Sequence, residues 1–475
     1  MNFETVIGLE IHAQLSTKSK LFSNASTEFG SKPNTAVNFI DAGLPGTLPV
    51  LNKKAVLYAI KFGMAINASI NDLSYFERKN YFYPDLPKGY QISQFRRPII
   101  EGGFIDISSH KVHIHHAHLE EDAGKSTHDQ PKNFTSIDLN RAGNPLLEIV
   151  TTPCLNNAEQ AVEFLKKLHE LLRFLDICDG NMQEGSFRCD VNLSIREIGA
   201  KKLGVRTELK NLNSFRFIEK AIKYEEERHK DLILSGSPII QQTRLYNPDT
   251  NSTHALRDKE EENDYRYFID PDLLPIKISK NDLETIANDM PELPNNIRNR
   301  LSKDDNLSIE EIDFIMSTPS HLKFYEEVKS ISKSSNKIII NWLKGTYTAV
   351  LNEMHLSFEN PPVSSKVLSE LLDKISTGII QPNIAKAIFK KLLSSNKTIE
   401  EIMKNENYGS GIDTQELLNI INKTILNNHK QVAEYKSGKE KLFGFFVGII
   451  MKETGGKADA NEVTTLLKQA FSRFN

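Results

Sequence analysis

The chain has 475 residues, 39% of them hydrophobic, and a formal net charge of −3; it is long enough for roughly two to four domains with real cores. Three cysteines lack the CxxC spacing of a structural zinc site, and their odd count does not suggest a disulfide framework. With no signal-peptide pattern and no membrane-length apolar run, a cytoplasmic enzyme is the default expectation. The charge is uneven, because residues 321–475 sum to +5 and leave −8 on residues 1–320. An acidic first part fits a site that holds a metal ion, and a mildly basic tail is compatible with a nucleic-acid partner.

Val6–Gln14 is the first strand signal. Side chains alternate along a strand, so Ile7, Leu9 and Ile11 share a core face while Glu10, His12 and Gln14 share the other. A carboxylate and an imidazole on one face make a poor packing surface and a good site surface. Ala55–Ala68 then reads as an amphipathic helix. Phe76–Gln94 interleaves aromatic and basic residues around Pro84 and Pro87, which exclude a long helix. In one reading Arg78, Lys79 and Lys88 meet nucleotide or RNA phosphates and the aromatics stack on a base. In the other the stretch is a packed loop with snorkelling cations.

His110, His113, His115, His116 and His118 crowd the next strand and suggest zinc. Alternation, however, separates His116 and His118 from His113 and His115, so one ion cannot use them all, and His118 is best placed to face a site. Glu120, Glu121 and Asp122 follow directly. Ionised neighbours repel, which calls for a cation or basic groups close by. Carboxylate oxygens suit Mg²⁺ and the phosphates it accompanies; the alternative is an acidic surface turn. Ala123–Thr127 resembles the end of a P-loop, but that motif needs glycine where Leu119 stands and an apolar helix afterwards.

Ala158–Leu175 reads as a helix with Asn157 as its N-cap. Phe187–Arg196 alternates again, with Cys189, Val191, Leu193 and Ile195 opposite Arg188, Asp190, Asn192, Ser194 and Arg196. Val205–Lys210 sets Arg206, Glu208 and Lys210 against Val205, Thr207 and Leu209. A single strand of this kind is commonly half-buried with its polar face in water. Several such strands, each mixing acids with bases, point to a charge-lined cavity built on a sheet. Ser214–Leu234 reads as a third helix carrying Glu225–His229 on a solvated face, and Asp264–Asp272 repeats the aromatic and basic character of the 76–94 stretch. Met290–Pro294 marks a boundary. The rest is helical and polar, with a second break near Asn405–Asp413. The predicted architecture is α+β: a mostly antiparallel sheet domain over 1–292, an all-α helical domain over 293–406, and a small α-helical tail over 407–475.

The strings Val6–His12, Tyr81–Asp85, Tyr90–Gln94, His118–Ser126, Asp138–Arg141, Gly185–Asp190, Glu208–Phe215 and Asp264–Phe268 closely resemble, in order and spacing, the B-subunit family of bacterial aspartyl/glutamyl-tRNA amidotransferases. Gly444–Gly448 and Met451–Ala458 extend the resemblance into the tail, whereas Pro382-Asn383 departs from a Gly-Lys that the family often carries. The resemblance implies a catalytic cradle similar to glutamine synthetase and guanidino kinases, and a tail that binds tRNA. It also implies a heterotrimer with an amidase subunit and a small third subunit. The implied reaction uses ATP and Mg²⁺ to phosphorylate the side-chain carboxylate of Glu-tRNA(Gln) or Asp-tRNA(Asn), which channelled ammonia then amidates.

On that reading Glu10, His12, Glu120, Glu121 and Glu208 ligate Mg²⁺, with Asp190 direct or through water. Histidine is an unusual Mg²⁺ ligand, so His12 alternatively orients a water or a carboxylate. Lys79, Lys88, Arg188 and Lys210 contact phosphate or substrate carboxylate. Glu10, His12, Glu121 and Lys79 form the catalytic set, and Glu10, Glu121 and Glu208 are expected to converge on one cation. None of Cys154, Cys178 and Cys189 sits in a glutaminase-like setting and no Ser-Lys amidase pattern is evident, so ammonia is expected from the partner. Two rival readings are a tRNA-binding module without its own catalysis and a zinc hydrolase on the histidine strand.

Overall fold

The computed structural model describes residues 2–127, 134–258, 262–395, 397–406, 408, 414–439, 442–454, 458 and 460–473. The chain divides into two compact units, Met1–Ile297 and Arg298–Asn475. The architecture is mixed α/β, with a sheet in the first unit and helices throughout the second.

The strands that build the site are β1 (Phe3–Gln14), β2 (Glu77–Asn80), β3 (Tyr90–Ser93), β4 (Lys111–Glu121), β5 (Pro145–Thr151), β6 (Phe187–Glu197), β7 (Thr207–Lys210), β8 (Gln242–Asn247), β9 (Ser252–Asp258) and β10 (Phe268–Ile269). Seven of them run in the order β9-β8-β7-β6-β1-β5-β4 across a ten-stranded sheet, which short strands extend beyond β4. Neighbours are antiparallel except β7 and β8, which are parallel. A smaller sheet joins β10, β2 and β3. The 76–94 stretch is therefore a hairpin whose arms pair through Glu77↔Ser93 and Asn80↔Tyr90, with both prolines confined to its tip. The strand expected from Val205 begins at Thr207, and Val205 itself is exposed.

Period-2 alternation decides which face of the large sheet is core. Ile7, Leu9, Ile11 and Ala13 of β1 are buried, as are Leu147 and Ile149 of β5 and Cys189, Val191, Leu193 and Ile195 of β6. They share one apolar cluster with helices α1 (Lys53–Ala65), α2 (Ala158–Phe174) and α3 (Phe215–Leu234). Each fully buried Leu, Ile or Phe contributes about 1.5–3 kcal/mol. The helices start where side-chain oxygens accept orphan N–H groups: Asn157 from Gln160 at 2.9 Å and Ser214 from Phe217 at 3.1 Å.

The solvated face expected for Glu225–His229 holds for the exposed Glu227 but not for the two ends of the run. Glu225 and His229 lie one helical turn apart, on the same side of α3 as the buried Ile218, Ala221 and Ile222, and both are fully buried. Their charge is absorbed locally. Glu225 accepts from Arg228 and from Thr253 Oγ1 at 2.8 Å, and His229 Nε2 meets Thr207 Oγ1 at 2.9 Å. Burial opposes the Glu225 carboxylate, but His229 and Arg228 hold it down at about 2.

In the second unit Phe324, Trp342, Tyr347, Phe358 and Phe389 form an aromatic core. Pro382 opens the helix Pro382–Ser394 at a position that needs no N–H. A separate cluster of Leu417, Ile421, Phe446, Ile450, Val463, Leu467 and Phe471 organises the last helices. The break expected near Asn405–Asp413 and the Gly455–Lys457 part of the tail motif fall largely outside the described residues. No described helix is long and apolar enough to cross a membrane.

Candidate active site

The face of the sheet opposite the core carries the charges, and strand register arranges them in rows. One row reads His118–Glu148–His12–Arg188 across β4, β5, β1 and β6. The next reads Val150–Glu10–Asp190 across β5, β1 and β6, and Asn192 of β6 faces Glu208 of β7. Side chains directly opposite on one face lie within interaction range, and Glu120 shares the face of His118, two residues before it on β4, so register and alternation together assemble two charged groups.

The first group is His12, Glu120 and Glu148, whose ligand-type atoms lie within 4.8 Å of one another. His12 Nε2 is 3.5 Å from Glu120 Oε1 and 3.4 Å from Glu148 Oε2. His118 Nε2 approaches the same Glu148 oxygen at 3.4 Å. Ser93 of β3 donates to Glu120 at 3.4 Å. Burial works against both imidazolium ions. The two carboxylates outweigh it, raising His118 to about 9 and His12 in the same direction. The imidazoles in turn hold Glu148 well below the usual carboxylate range despite its burial. His116 stacks on His118 at 5.3 Å and is pushed down to about 4, by burial first and His118 second.

The second group is Glu10, Asp190 and Glu208, also within 4.8 Å. Asn192 Nδ2 donates to Glu10 at 2.8 Å, Thr243 Oγ1 to Glu208 at 2.6 Å and Lys210 Nζ to Asp190 at 2.5 Å. Lys210 also lies 3.6 Å from Glu208. Asp190 and Glu208 outweigh burial and raise the Lys210 ammonium above its ordinary value, so it stays charged. An all-oxygen set of this kind fits Mg²⁺, a hard ion that keeps waters and takes carboxylates. The first group, with an imidazole, also fits softer divalent ions.

Two adjoining cavities open over these rows. One, of about 410 Å³, is lined by His12, Glu120, Asp122, Arg188, Asp190 and Lys210. The other, of about 300 Å³, is lined by Glu10, Glu148, His118, Asp190 and Glu208 among others. Lys79 of β2 lines both. Its ammonium sits 4.8 Å from the Tyr265 ring centroid and has no carboxylate at ion-pair distance among the described residues. Nearby carboxylates and tyrosines outweigh burial and keep Lys79 protonated.

Of the residues expected at the site, Glu10, His12, Glu120, Asp190, Glu208, Lys79, Arg188 and Lys210 come together, the acids and His12 in two groups rather than around one cation. Glu121 joins neither group. Successive residues of β4 point to opposite faces, so its carboxylate turns away from Glu120, accepts from Ile92 N–H at 2.9 Å and pairs with Lys88. That pairing also withdraws Lys88 from both cavities. Arg78 is likewise engaged, by Asp270 at 2.9 Å and Asp272 at 2.8 Å. His113 and His115 are exposed and join no metal-type group among the described residues. Lys125 starts a short strand rather than a phosphate loop, and Arg141 clamps the preceding turn by donating to Ala123 and Gly124 carbonyls. Glu148 is a site residue that the sequence reading does not anticipate. Its one local signal is that it is the sole charge in the apolar strand Pro145–Thr151.

A charge-lined cavity over two carboxylate groups has the chemistry to hold divalent cations and charged ligands. Comparisons with known proteins agree with a catalytic role. The family model described as the GatB/GatE catalytic domain matches residues 5–284, and the one described as the GatB domain matches residues 323–471. The B subunit of the aspartyl/glutamyl-tRNA(Asn/Gln) amidotransferase of Legionella pneumophila subsp. pneumophila strain Philadelphia 1 is 58% identical over 474 residues, covering 99% of each chain. The B subunit of the same name from Thioalkalivibrio sulfidiphilus is 48% identical over 474 residues, again 99% of each chain. The chain belongs to the family of aspartyl/glutamyl-tRNA(Asn/Gln) amidotransferase B subunits, and is thus part of a glutamine-hydrolysing, ligase-type enzyme.

Proposed function

We propose that this chain activates the side-chain carboxylate of Glu-tRNA(Gln), Asp-tRNA(Asn) or both with ATP and then amidates it with ammonia from a partner amidase, a third small subunit completing the complex. The observation that carries the reading is the pair of carboxylate groups facing one cleft with Lys79, Arg188 and Lys210. A carboxylate oxygen is a poor leaving group, and phosphorylation cures that. The substrate carboxylate attacks the γ-phosphorus, the bond to the β–γ bridging oxygen breaks, and ADP departs. Ammonia then attacks the acyl carbon, inorganic phosphate leaves, and the nitrogen loses a proton.

Phosphoryl transfer depends on positioning and on neutralising charge. Glu10, Asp190 and Glu208 would hold a Mg²⁺ ion, and His12, Glu120 and Glu148 a second divalent ion. Bound there, these ions supply charge neutralisation for the triphosphate oxygens. Lys79 presents an ammonium to the transferring phosphoryl group, and Arg188 and Lys210 flank it. The role expected of Glu121 passes to Glu148, which faces the cleft. Two of the three thiols support an external source of ammonia: burial pushes Cys178 up to about 12 and Cys189 well above its ordinary value, so neither is a ready nucleophile. The sheet over 1–292 serves as a cradle of the glutamine synthetase and guanidino kinase kind, the helices of 293–406 form a separate domain, and 407–475 binds tRNA.

Phosphate release tests the reading, measured with the chain, its amidase partner, Glu-tRNA(Gln), Mg²⁺ and ATP. Glu10→Ala is expected to abolish release and leave tRNA affinity nearly unchanged. Full turnover in that variant would remove the cation-binding role, and a wild-type chain that binds tRNA without releasing phosphate would make it a binding module.

A further inference from the structure

One side of the 300 Å³ cavity is aromatic, and neither the carboxylate groups nor the lysines account for it. Phe95 and Tyr267 stack there with ring centroids 4.5 Å apart and planes 11° from parallel. Tyr265 packs edge-on against Tyr267 at 6.1 Å and leads to Lys79. Phe95 is 44% exposed although it lines a cavity otherwise rich in charge. Leaving that much of a phenyl ring in a polar hollow forgoes hydrophobic burial.

The ring is also held by an unusual device. Glu77 is fully buried, and its carboxylate accepts the backbone N–H of Phe95 at 2.9 Å and of Arg96 at 2.7 Å. The Arg96 guanidinium adds an ion pair at 3.4 Å. Burying a carboxylate to pin a turn is costly. Its effect is to fix, in one orientation, an aromatic face that the core does not use. Rigid aromatic faces at the edge of a charged groove are how proteins bind the flat π-surface of a base.

We infer that the Phe95–Tyr267 stack is a platform for a purine base, and that the base belongs to the nucleoside triphosphate whose phosphates lie toward Lys79 and the Glu10–Asp190–Glu208 group. This rests on the function proposed above and adds the place and chemistry of base recognition. The same platform chemistry would suit the terminal adenosine of a tRNA acceptor end. The triphosphate is favoured because the carboxylate group and the stack line one cavity.

The test uses 2-aminopurine riboside triphosphate with Mg²⁺, whose fluorescence is quenched on stacking, and the full chain. Binding to the wild type is expected to quench the probe. Phe95→Ala is expected to abolish the quench and weaken binding about tenfold, the scale of one stacked base, with unchanged affinity for base-free tripolyphosphate and an unchanged melting temperature. Phe95→Tyr should restore the quench. Equal quenching in wild type and Phe95→Ala overturns the platform. Phe95-dependent quenching of an acceptor-stem RNA ending in 2-aminopurine, without quenching of the triphosphate, overturns the triphosphate assignment. The quench does not require turnover. Phosphate release absent with the quench intact therefore counts against the proposed reaction and leaves the platform standing.

Discussion

The two carboxylate groups occupy adjacent rows of one sheet face and relieve like-charge repulsion in different ways. Glu10, Asp190 and Glu208 are balanced by the permanent charge of Lys210 and by neutral donors from Asn192 and Thr243. Glu120 and Glu148 are balanced by His12 and His118, whose charge depends on pH. The first group can accept a hard cation with little change in protonation. The second must shed protons for His12 to become a ligand, so cation binding there is coupled to pH. A shared face therefore holds one group that answers to metal concentration and one that answers to metal and proton together.

The sharpest way to break this contrast is to neutralise one acid in each group. Glu208→Gln and Glu148→Gln are each expected to slow phosphate release about a thousandfold, since each removes several kcal/mol of charge stabilisation. Only Glu148→Gln should also lower the titration point of His118, followed by NMR in metal-free protein. An unchanged His118 titration would mean that the two groups do not differ as described.

The next effect is on stability. His118→Gln leaves Glu148 short of a buried partner and is expected to cost about 3 kcal/mol in metal-free protein. The folded state holds His118 at about 9 against an ordinary 6.5, and Glu148 well below its ordinary 4.5. The raised imidazole contributes fully below 6.5, and its contribution disappears as pH rises through about 9. The depressed carboxylate contributes fully above 4.5, and its contribution disappears as pH falls. The gap between wild type and variant should therefore be widest between 4.5 and 6.5 and close on both sides, as denaturant unfolding across pH would show. A gap independent of pH would rule out the ion-pair origin.

The smallest effect concerns the opposite side of β4. Lys88→Met should lower stability by about 2 kcal/mol, because Glu121 loses its buried partner, while KM for ATP stays within about twofold, a negligible binding free-energy change. A large rise in KM would return Lys88 to phosphate binding.

Much of this arrangement is legible one strand at a time. The alternation in Val6–Gln14 and Phe187–Arg196 separates Glu10, His12, Arg188 and Asp190 from Ile7, Leu9, Cys189 and Val191, and burial follows it. Alternation also places Glu120 and Glu121 on opposite faces. Their adjacency in sequence nevertheless suggests one cluster, because the partner of Glu121, Lys88, stands 33 residues away. Glu148 is hidden because it is the sole charge in β5, a strand that otherwise holds apolar residues and Thr151. The charged run Glu225–His229 reads as solvated because the groups that satisfy it, Thr207 and Thr253, come from distant strands.

Local physics writes each strand's two faces and each helix's start into the chain, because backbone geometry and capping act over a few neighbouring residues. Which strands lie side by side, and so which His meets which Glu, depends on pairings between segments more than a hundred residues apart, such as His12 with Glu148 and Glu10 with Asp190. Those pairings emerge from the energy of burying the whole sheet, which no window along the sequence contains.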